Sequence, residues 1–184
     1  MKSNKKVLVL RTCDEDMSSK NGFKWPVKGP VKCTDWLPTN ECGNGLQGFL
    51  YGEGDGNLAS WADKAKWLVV SVSEADIVNL DGKVKFPKGN VVFCGNRFDA
   101  TQYIAAKAPN NVKAIIGYTS VSGDKGVSTS GRYGTSTSGV GGKLVITWHD
   151  CNRYRLAIGY VGEGGILPNV AYRLDDKGNF VKKV

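Results

Sequence analysis

The chain has 184 residues, 41% of them hydrophobic and 23% charged, which is enough for one domain with its own core. No run of about 18 apolar residues is present, which argues against a membrane-spanning helix, and the apolar stretch 7–10 is too short for a signal peptide. Five cysteines at irregular spacing and one histidine argue against a disulfide framework and a four-ligand zinc site. We therefore expect reduced thiols, a cytoplasmic location and no membrane contact.

The first part of the chain predicts short strands separated by glycine-rich turns. Apolar runs predict strands at residues 7–12, 31–36 and 67–72. The glycine-dense stretch 43–56 contains enough apolar residues to be ordered. Asn57 is expected to cap a short helix over residues 58–66.

The middle of the chain predicts a hairpin and then a helix. Asp81 and Gly82 lie between alternating apolar residues and suit the positive φ angles of a type I′ turn, so we expect a hairpin over residues 78–86. Asp99 and Gln102 resemble a capping box, which predicts a helix over residues 100–107. Flanking strands are expected at 90–94 and 112–116.

A repeat of eight residues follows the predicted helix. Glycines recur at 123, 131 and 139 and again at 126, 134 and 142. This fixed period, with glycine at turn positions, predicts stacked β-arcs similar to a β-solenoid. A flexible glycine–serine linker is the alternative interpretation. Val127 and Thr135 recur in phase and favour the ordered one.

Two antiparallel hairpins are predicted after the repeat. One pairs residues 143–148 with 154–160, and the other pairs 170–174 with 179–184. The predicted fold class is therefore α+β and predominantly β: a mixed sheet with one or two short helices, a short solenoid-like segment and C-terminal hairpins. The predicted divisions are 1–116, 117–142 and 143–184, packed as one compact unit.

Three segments carry a resemblance to known proteins. Residues 131–139 resemble the Gly-x-x-Ser-Thr-x-Thr-Ala-Gly repeats of phage and prophage proteins of unassigned function, and they also resemble half-coils of ice nucleation proteins. Residues 158–174 look like the C-terminal segment of that phage group. Residues 42–47 look like its Cys-x-x-Gly-Leu-His segment, with Gln47 in place of histidine. The resemblance implies a phage origin.

The sequence shows no recognisable catalytic constellation, and we predict no catalytic residue, metal site or cofactor. The segments 43–45 and 52–56 could present backbone amides to an anion, although turn geometry alone would explain their glycines. The net charge of +8 favours an anionic small molecule, such as a nucleotide, or a host protein as partner, and a homo-oligomer is possible. The residues expected to contact the ligand are Arg11, Tyr51, Arg97, Arg132 and Tyr133.

These observations lead to three hypotheses about function. The first is a non-enzymatic phage protein that acts in the host cytoplasm and blocks a host factor, either a signalling nucleotide or a defence protein. The second is an enzyme that resembles ADP-ribosyltransferases, which is weakened because the late acid Glu163 lies in a glycine turn. The third is a structural module whose exposed strand edges stack between subunits.

Overall fold

The protein is described by a computed structural model that covers residues 5–112 and 114–183. These residues form fourteen strands and one α-helix, which confirms the predominantly β class. Their contacts divide the chain into two compact units, Met1–Pro109 and Asn110–Val184. Among the residues described, no helix is long and apolar enough to cross a membrane.

The first unit is built on a seven-stranded antiparallel sheet. The strands are β1 (Lys6–Cys13), β2 (Gly29–Lys32), β3 (Leu46–Leu50), β4 (Lys66–Ser73), β5 (Val78–Asn79), β6 (Val84–Phe86) and β7 (Lys88–Gly95). Their order in the sheet is β2-β7-β4-β1-β3-β6-β5. The central pair, β1 and β4, aligns over eight residues from Lys6 opposite Ser73 to Cys13 opposite Lys66.

The two faces of this sheet are buried differently. Val7, Val9, Val70 and Val72 belong to the main core on one face and are at most 2% exposed. On the other face, helix α1 (Arg97–Ala105) packs against β1, β4 and β7, where its buried Ala100 and Ile104 add to the fully buried Leu10 and Val69. Alternation of side chains along each strand produces this division.

The predicted hairpin at residues 78–86 is confirmed. Asp81 and Gly82 have φ angles of 56° and 87°, as a type I′ turn requires. The Asn79 side chain accepts a hydrogen bond from the Asp81 amide at 3.0 Å. The strands predicted at 7–12, 67–72 and 90–94 are β1, β4 and β7, and the glycine-dense stretch 43–56 contains β3.

The helix predicted over residues 58–66 is wrong. The chain makes one 3-10 turn, Gly56–Leu58, which the Asp55 side chain caps by accepting from the Asn57 amide. The next residues satisfy their polar groups elsewhere: the Trp61 indole donates to the Gly56 carbonyl at 2.8 Å, and the Ser60 amide donates to Thr12 at 2.8 Å. After these contacts the chain makes a turn in which the Ala65 amide donates to the Ala62 carbonyl at 3.0 Å, and β4 begins at Lys66.

Two further predicted elements have different bounds in the structure, and one predicted strand is not formed. Helix α1 begins at Arg97 because Asn96 is its cap: the Asn96 side chain accepts from the Asp99 amide at 2.9 Å. The predicted cap Asp99 therefore lies inside the first turn. The strand expected at 31–36 is β2, which ends at Lys32. The described residues of 112–116 form no strand, and Lys113 lies outside the described part.

The second unit contains four strands that begin at intervals of eight residues. The strands are β8 (Thr119–Val121), β9 (Val127–Ser130), β10 (Thr135–Thr137) and β11 (Lys143–His149). β10 pairs with β8 in parallel, with Thr135 opposite Thr119. β11 pairs with β9 in parallel, with Lys143 opposite Val127. Both ladders are therefore offset by sixteen residues, which is two octads.

The repeated glycines make the turns between these strands. The amides of Gly126, Gly134 and Gly142 donate to the carbonyls three residues earlier, at 3.1, 2.9 and 3.2 Å. The residue before each of these glycines has a positive φ angle: 55° at Lys125, 59° at Tyr133 and 65° at Gly141. The repeat segment thus consists of strands and hydrogen-bonded turns.

Both predicted C-terminal hairpins are present. β12 (Tyr154–Tyr160) pairs antiparallel with β11. β13 (Tyr172–Leu174) pairs antiparallel with β10 and with β14 (Phe180–Lys182). Each parallel ladder therefore ends in an added antiparallel strand, which gives the orders β12-β11-β9 and β14-β13-β10-β8. Val184, the predicted end of the last strand, lies outside the described residues.

Candidate functional site

Four serine side chains point into the interior of the repeat. Ser128, Ser130, Ser136 and Ser138 are all 0% exposed. The Ser130 and Ser136 hydroxyls lie 3.0 Å apart, and the Ser128 hydroxyl donates to the Ser120 carbonyl at 2.9 Å. Buried hydroxyls need such partners. The interior therefore combines these hydrogen-bonded serines with the buried Leu144 and Ile146 of β11, which lie opposite Ser128 and Ser130.

The alternate residues of the same strands point away from this interior. On β8 and β10 they are Thr119, Val121, Thr135 and Thr137, which the parallel register places as two adjacent pairs. Val121 is 73% exposed, whereas Thr135 is 6% exposed. On β9 the outward residues are Val127 and Thr129, and on β11 they include Val145. On the first sheet Thr119, Val121 and Thr137 thus form a row of β-branched side chains that is not buried, and on the second sheet Val127, Thr129 and Val145 form a similar row that Lys143 interrupts opposite Val127.

The predicted ligand contacts are spread over both units. Arg11, Tyr51 and Arg97 lie in the first unit, whereas Arg132 and Tyr133 lie in the second. The Arg132 guanidinium stacks on the Tyr133 ring at 5.1 Å, within the turn that ends at Gly134. The Arg97 guanidinium stacks on Trp61 at 5.8 Å, at the start of α1. The joint ligand site remains a prediction.

Arg11 is a half-buried residue of β1. Its guanidinium lies over the Trp25 ring at 5.6 Å, and its buried Nε has no hydrogen-bond partner among the described residues. Burial lowers the pKa of Arg11, because desolvation disfavours its charge. Tyr51 directly follows β3 with a φ angle of 50°, and its amide donates to the Leu8 carbonyl at 2.8 Å.

Close packing explains one glycine in each of the two predicted anion-binding segments. A Cβ atom on Gly45 would lie 2.8 Å from the Trp36 ring, and one on Gly54 would lie 2.3 Å from the Gly82 carbonyl oxygen. Both residues also have positive φ angles. These contacts support the turn interpretation at both positions.

Sequence analysis missed a buried lysine beside one of these segments. Lys85 in β6 is 0% exposed. Its ammonium group donates to the Glu41 carbonyl at 2.8 Å and to the Thr39 hydroxyl at 3.3 Å, and it lies 5.9 Å from the Trp36 ring. The sequence gives no signal for this, because Lys85 alternates with the apolar Val84 and Phe86, a pattern that predicts an exposed lysine. Lys85 anchors the loop that contains Cys42.

Cys42 is an exposed thiol next to a lysine. The Lys83 ammonium donates to its Sγ at 3.1 Å, and Gln47 lies 3.8 Å from the same sulfur. The lysine contact lowers the pKa of Cys42, since it stabilises the thiolate. The described residues contain no group of three histidine, cysteine or acidic side chains that could hold a metal ion.

Curated relatives of the chain are ice nucleation proteins. Those of Xanthomonas campestris pv. translucens and Pseudomonas fluorescens are each 44% identical to it over 107 residues, and one from Pseudomonas syringae is 41% identical over 104 residues. The matches cover 56%, 57% and 55% of this chain, but only 7%, 9% and 9% of the relatives. The chain therefore corresponds to a small part of each relative. No solved structure matches it.

These relatives confirm one expectation and correct others. The predicted likeness to ice nucleation repeats is confirmed. Because the relatives are ice nucleation proteins of bacteria, the predicted phage-encoded, nucleotide-binding inhibitor of host defence is wrong. The same finding overturns the ADP-ribosyltransferase and assembly-module hypotheses. The anionic partner, the possible homo-oligomer, the lack of membrane contact and the cytoplasmic location stay predictions.

A family model also matches the chain. It covers residues 7–112, which is more than half of the sequence and includes all seven strands and the helix of the first unit. The family has been described only as a domain of unknown function. The chain therefore belongs to the family Domain of unknown function (DUF7666).

Proposed function

We propose that the unit Asn110–Val184 is a short β-solenoid of the ice nucleation type, whose outward faces order water. The relatives that carry the name ice nucleation protein match 54–57% of this chain, a stretch longer than this whole unit. Their match therefore cannot be confined to it. The likeness supports the proposal, and the geometry of the repeat specifies which surface would act.

The sixteen-residue offset supports the solenoid. In a β-solenoid each coil contacts only its neighbours, and equivalent residues of successive coils lie side by side. Here β10 lies beside β8 and β11 lies beside β9, each two octads later. The turns recur every eight residues, so one coil has two strands and two turns. The two ladders then form the two faces of the coil.

The outward rows of β-branched residues carry the functional proposal. Adjacent strands lie about 4.8 Å apart, and alternate residues along one strand lie about 6.7 Å apart. Threonine and valine side chains are stiff at χ1, so their hydroxyl and methyl groups keep these spacings. A regular array of this kind can hold a layer of ordered water, as contact with ice requires. The row formed by Thr119, Val121 and Thr137, which are exposed or half-buried, is the single observation on which the proposal depends; Thr135 is buried and is not part of this row.

The small size of the array limits the expected activity. Only two coils lie between Thr119 and His149, so the template is small compared with a repeat array of full length. A small template stabilises a small ice embryo, and such embryos form only at lower temperature. We therefore expect an effect on the growth of existing ice crystals, with at most a slight effect on the freezing temperature of droplets.

The experiment compares two variants in the array with one outside it. Thr137→Lys places a long charged side chain in the β10 row, and Thr129→Lys does the same on β9. Thr34→Lys makes the same change at an exposed position of the first unit and is the matched control. Ice recrystallisation is measured in frozen solutions of each protein, and circular dichroism confirms that each variant folds.

At equal protein concentration, the wild type and Thr34→Lys are expected to slow recrystallisation to the same extent. Thr137→Lys and Thr129→Lys are expected to lose most of this effect. Wild-type protein that leaves ice grain size unchanged would contradict the proposal. So would equal activity of all four folded proteins, since the outward rows would then play no part.

A further inference from the structure

A basic groove lies on the first unit, on the same sheet face as α1 but beyond the end that the helix covers. It has a volume of about 590 Å³. Three lysines from three different strands line it, together with two hydroxyl groups and one amide. These residues are Lys6, Lys32, Lys88, Ser71, Ser73 and Asn90.

The register of the sheet places these side chains on one face. Lys32 pairs with Lys88, Asn90 pairs with Ser71, and Lys6 pairs with Ser73. Directly paired residues share a face, and so do residues two apart along one strand. The six side chains therefore form a continuous polar strip across β2, β7, β4 and β1.

The groove carries a net positive charge, since three lysines and one aspartate, Asp76, line it. Within the described part of the chain, no carboxylate lies within salt-bridge distance of the ammonium groups of Lys6, Lys32 or Lys88, and Asp76 is the acidic residue that lines the groove. Lys32 and Lys88 face each other directly across neighbouring strands, an arrangement that destabilises a sheet. An anion between them would remove that repulsion.

We propose that this groove binds a small ligand with two or more phosphate or sulfate groups. The paired lysines lie at one end, and Lys6 lies three strands from Lys32 and two from Lys88, at backbone distances of about 14 Å and about 10 Å. Long lysine side chains can reach inward from both ends. Ser71, Ser73 and Asn90 lie between them and can donate hydrogen bonds to the same oxygens. A ligand with separated charges satisfies both ends, whereas a single small anion satisfies only one.

The test measures binding of tripolyphosphate and of sucrose octasulfate by isothermal titration calorimetry in low salt. The variant Lys32→Gln/Lys88→Gln removes the charge pair from the groove. The control Lys20→Gln/Lys28→Gln removes the same net charge from exposed positions that do not line it. We expect the groove variant to weaken binding at least tenfold and the control to weaken it less than threefold.

The two probes separate the possible sources of the oxyanion. Tighter binding of tripolyphosphate assigns the groove to phosphorylated ligands, and tighter binding of sucrose octasulfate assigns it to sulfated ones. Equal weakening in both double variants would overturn the proposal, because attraction would then depend only on net charge. Absence of binding by the wild-type protein to either probe would also overturn it.

A second experiment measures the effect of the repulsion between Lys32 and Lys88 on the melting temperature. Without any anion, Lys88→Gln is expected to raise the melting temperature in low salt, since it removes one of two facing charges. With tripolyphosphate present, the wild type gains more in melting temperature than Lys88→Gln. A variant that melts lower than the wild type in the absence of anion, yet gains as much as the wild type from tripolyphosphate, would show that the lysine pair does not bind it.

Discussion

The Ser122 hydroxyl donates a hydrogen bond to the Ser138 hydroxyl at 2.8 Å, although the two residues lie sixteen positions apart. Ser138 in turn donates to the Gly126 and Gly123 carbonyls at 3.2 and 3.3 Å. Equivalent serines of successive coils are thus connected through the interior, and the last one also holds a turn. A packed core of this kind tolerates little additional volume.

Gly131→Ala is expected to destabilise the second unit strongly. A Cβ atom at this position would lie 2.1 Å from the Ala114 carbonyl oxygen, and a backbone atom cannot move aside without shifting the coil. We expect a loss of about 2–4 kcal/mol in the free energy of unfolding, measured by urea denaturation.

Gly123→Ala is the matched control for that substitution. Gly123 occupies the same position one octad earlier, and a Cβ atom there would meet nothing within 4 Å. Its φ angle is not among the positive ones. We expect a change within about 0.5 kcal/mol. Equal losses at Gly123 and Gly131 would contradict the close packing of the coil against residue 114.

Lys125→Gly is expected to stabilise the same unit. Lys125 has a φ angle of 55°, and this left-handed conformation costs a residue with a Cβ atom roughly 1–2 kcal/mol. Glycine adopts it without that cost but loses more chain entropy on folding, which offsets part of the gain. We expect a net increase of about 0.5–1 kcal/mol in unfolding free energy. Lys125→Ala is the control, since it removes the charge and retains the strain, and the two variants should differ by this amount.

Local signals in the sequence predicted the features that depend on neighbouring residues. The hairpin at Asp81–Gly82 was found because its turn chemistry is complete within a few positions. The glycine period located the turns of the repeat for the same reason. The helix predicted after Asn57 was wrong because a residue distant in sequence binds one of its backbone amides. The Thr12 hydroxyl accepts a hydrogen bond from the Ser60 amide, and a sequence pattern gives no information on that pairing.

The basic groove and the contacts of the buried Lys85 depend even more on tertiary structure. Lys32 and Lys88 are far apart in sequence, and only the pairing of β2 with β7 brings them together. Lys85 lies in an alternating segment where its charge predicts an exposed side chain, but the carbonyls of another loop surround it. Strand order cannot be read from composition or periodicity. Both features therefore required the structure.

Lys85→Met is expected to loosen the loop that contains Cys42. The change preserves most of the side-chain volume but removes the donor that satisfies the Glu41 carbonyl at 2.8 Å and the Thr39 hydroxyl at 3.3 Å. Loss of a hydrogen bond to a charged group costs about 1.5–3 kcal/mol. Hydrogen exchange should show faster exchange of the amides around residues 39–45, with little change in the strand pair β1–β4. Unchanged exchange around Glu41 would show that Lys85 does not hold the loop.

The reactivity of Cys42 should depend on Lys83. The Lys83 ammonium lies 3.1 Å from the Cys42 Sγ and lowers the pKa of that thiol, so more thiolate is present at a given pH. Because thiolate is the reactive form, the alkylation rate of Cys42 with iodoacetamide should reach half its maximum below pH ~8.5, the value of an unperturbed cysteine. In Lys83→Met this midpoint should move up towards pH ~8.5.

The same contact gives a pH dependence of stability with a defined sign. A thiol whose pKa is lower in the folded state than in the unfolded state stabilises the fold fully above the unfolded pKa and loses that contribution as the pH falls through the folded pKa. Lys83→Met should abolish this component, and Lys83→Arg should retain part of it because the charge remains. Peptide mapping of the alkylated protein assigns the rate to Cys42 rather than to Cys151, the other exposed thiol. An alkylation midpoint that is identical in wild type and Lys83→Met would mean that the ammonium group does not stabilise the thiolate.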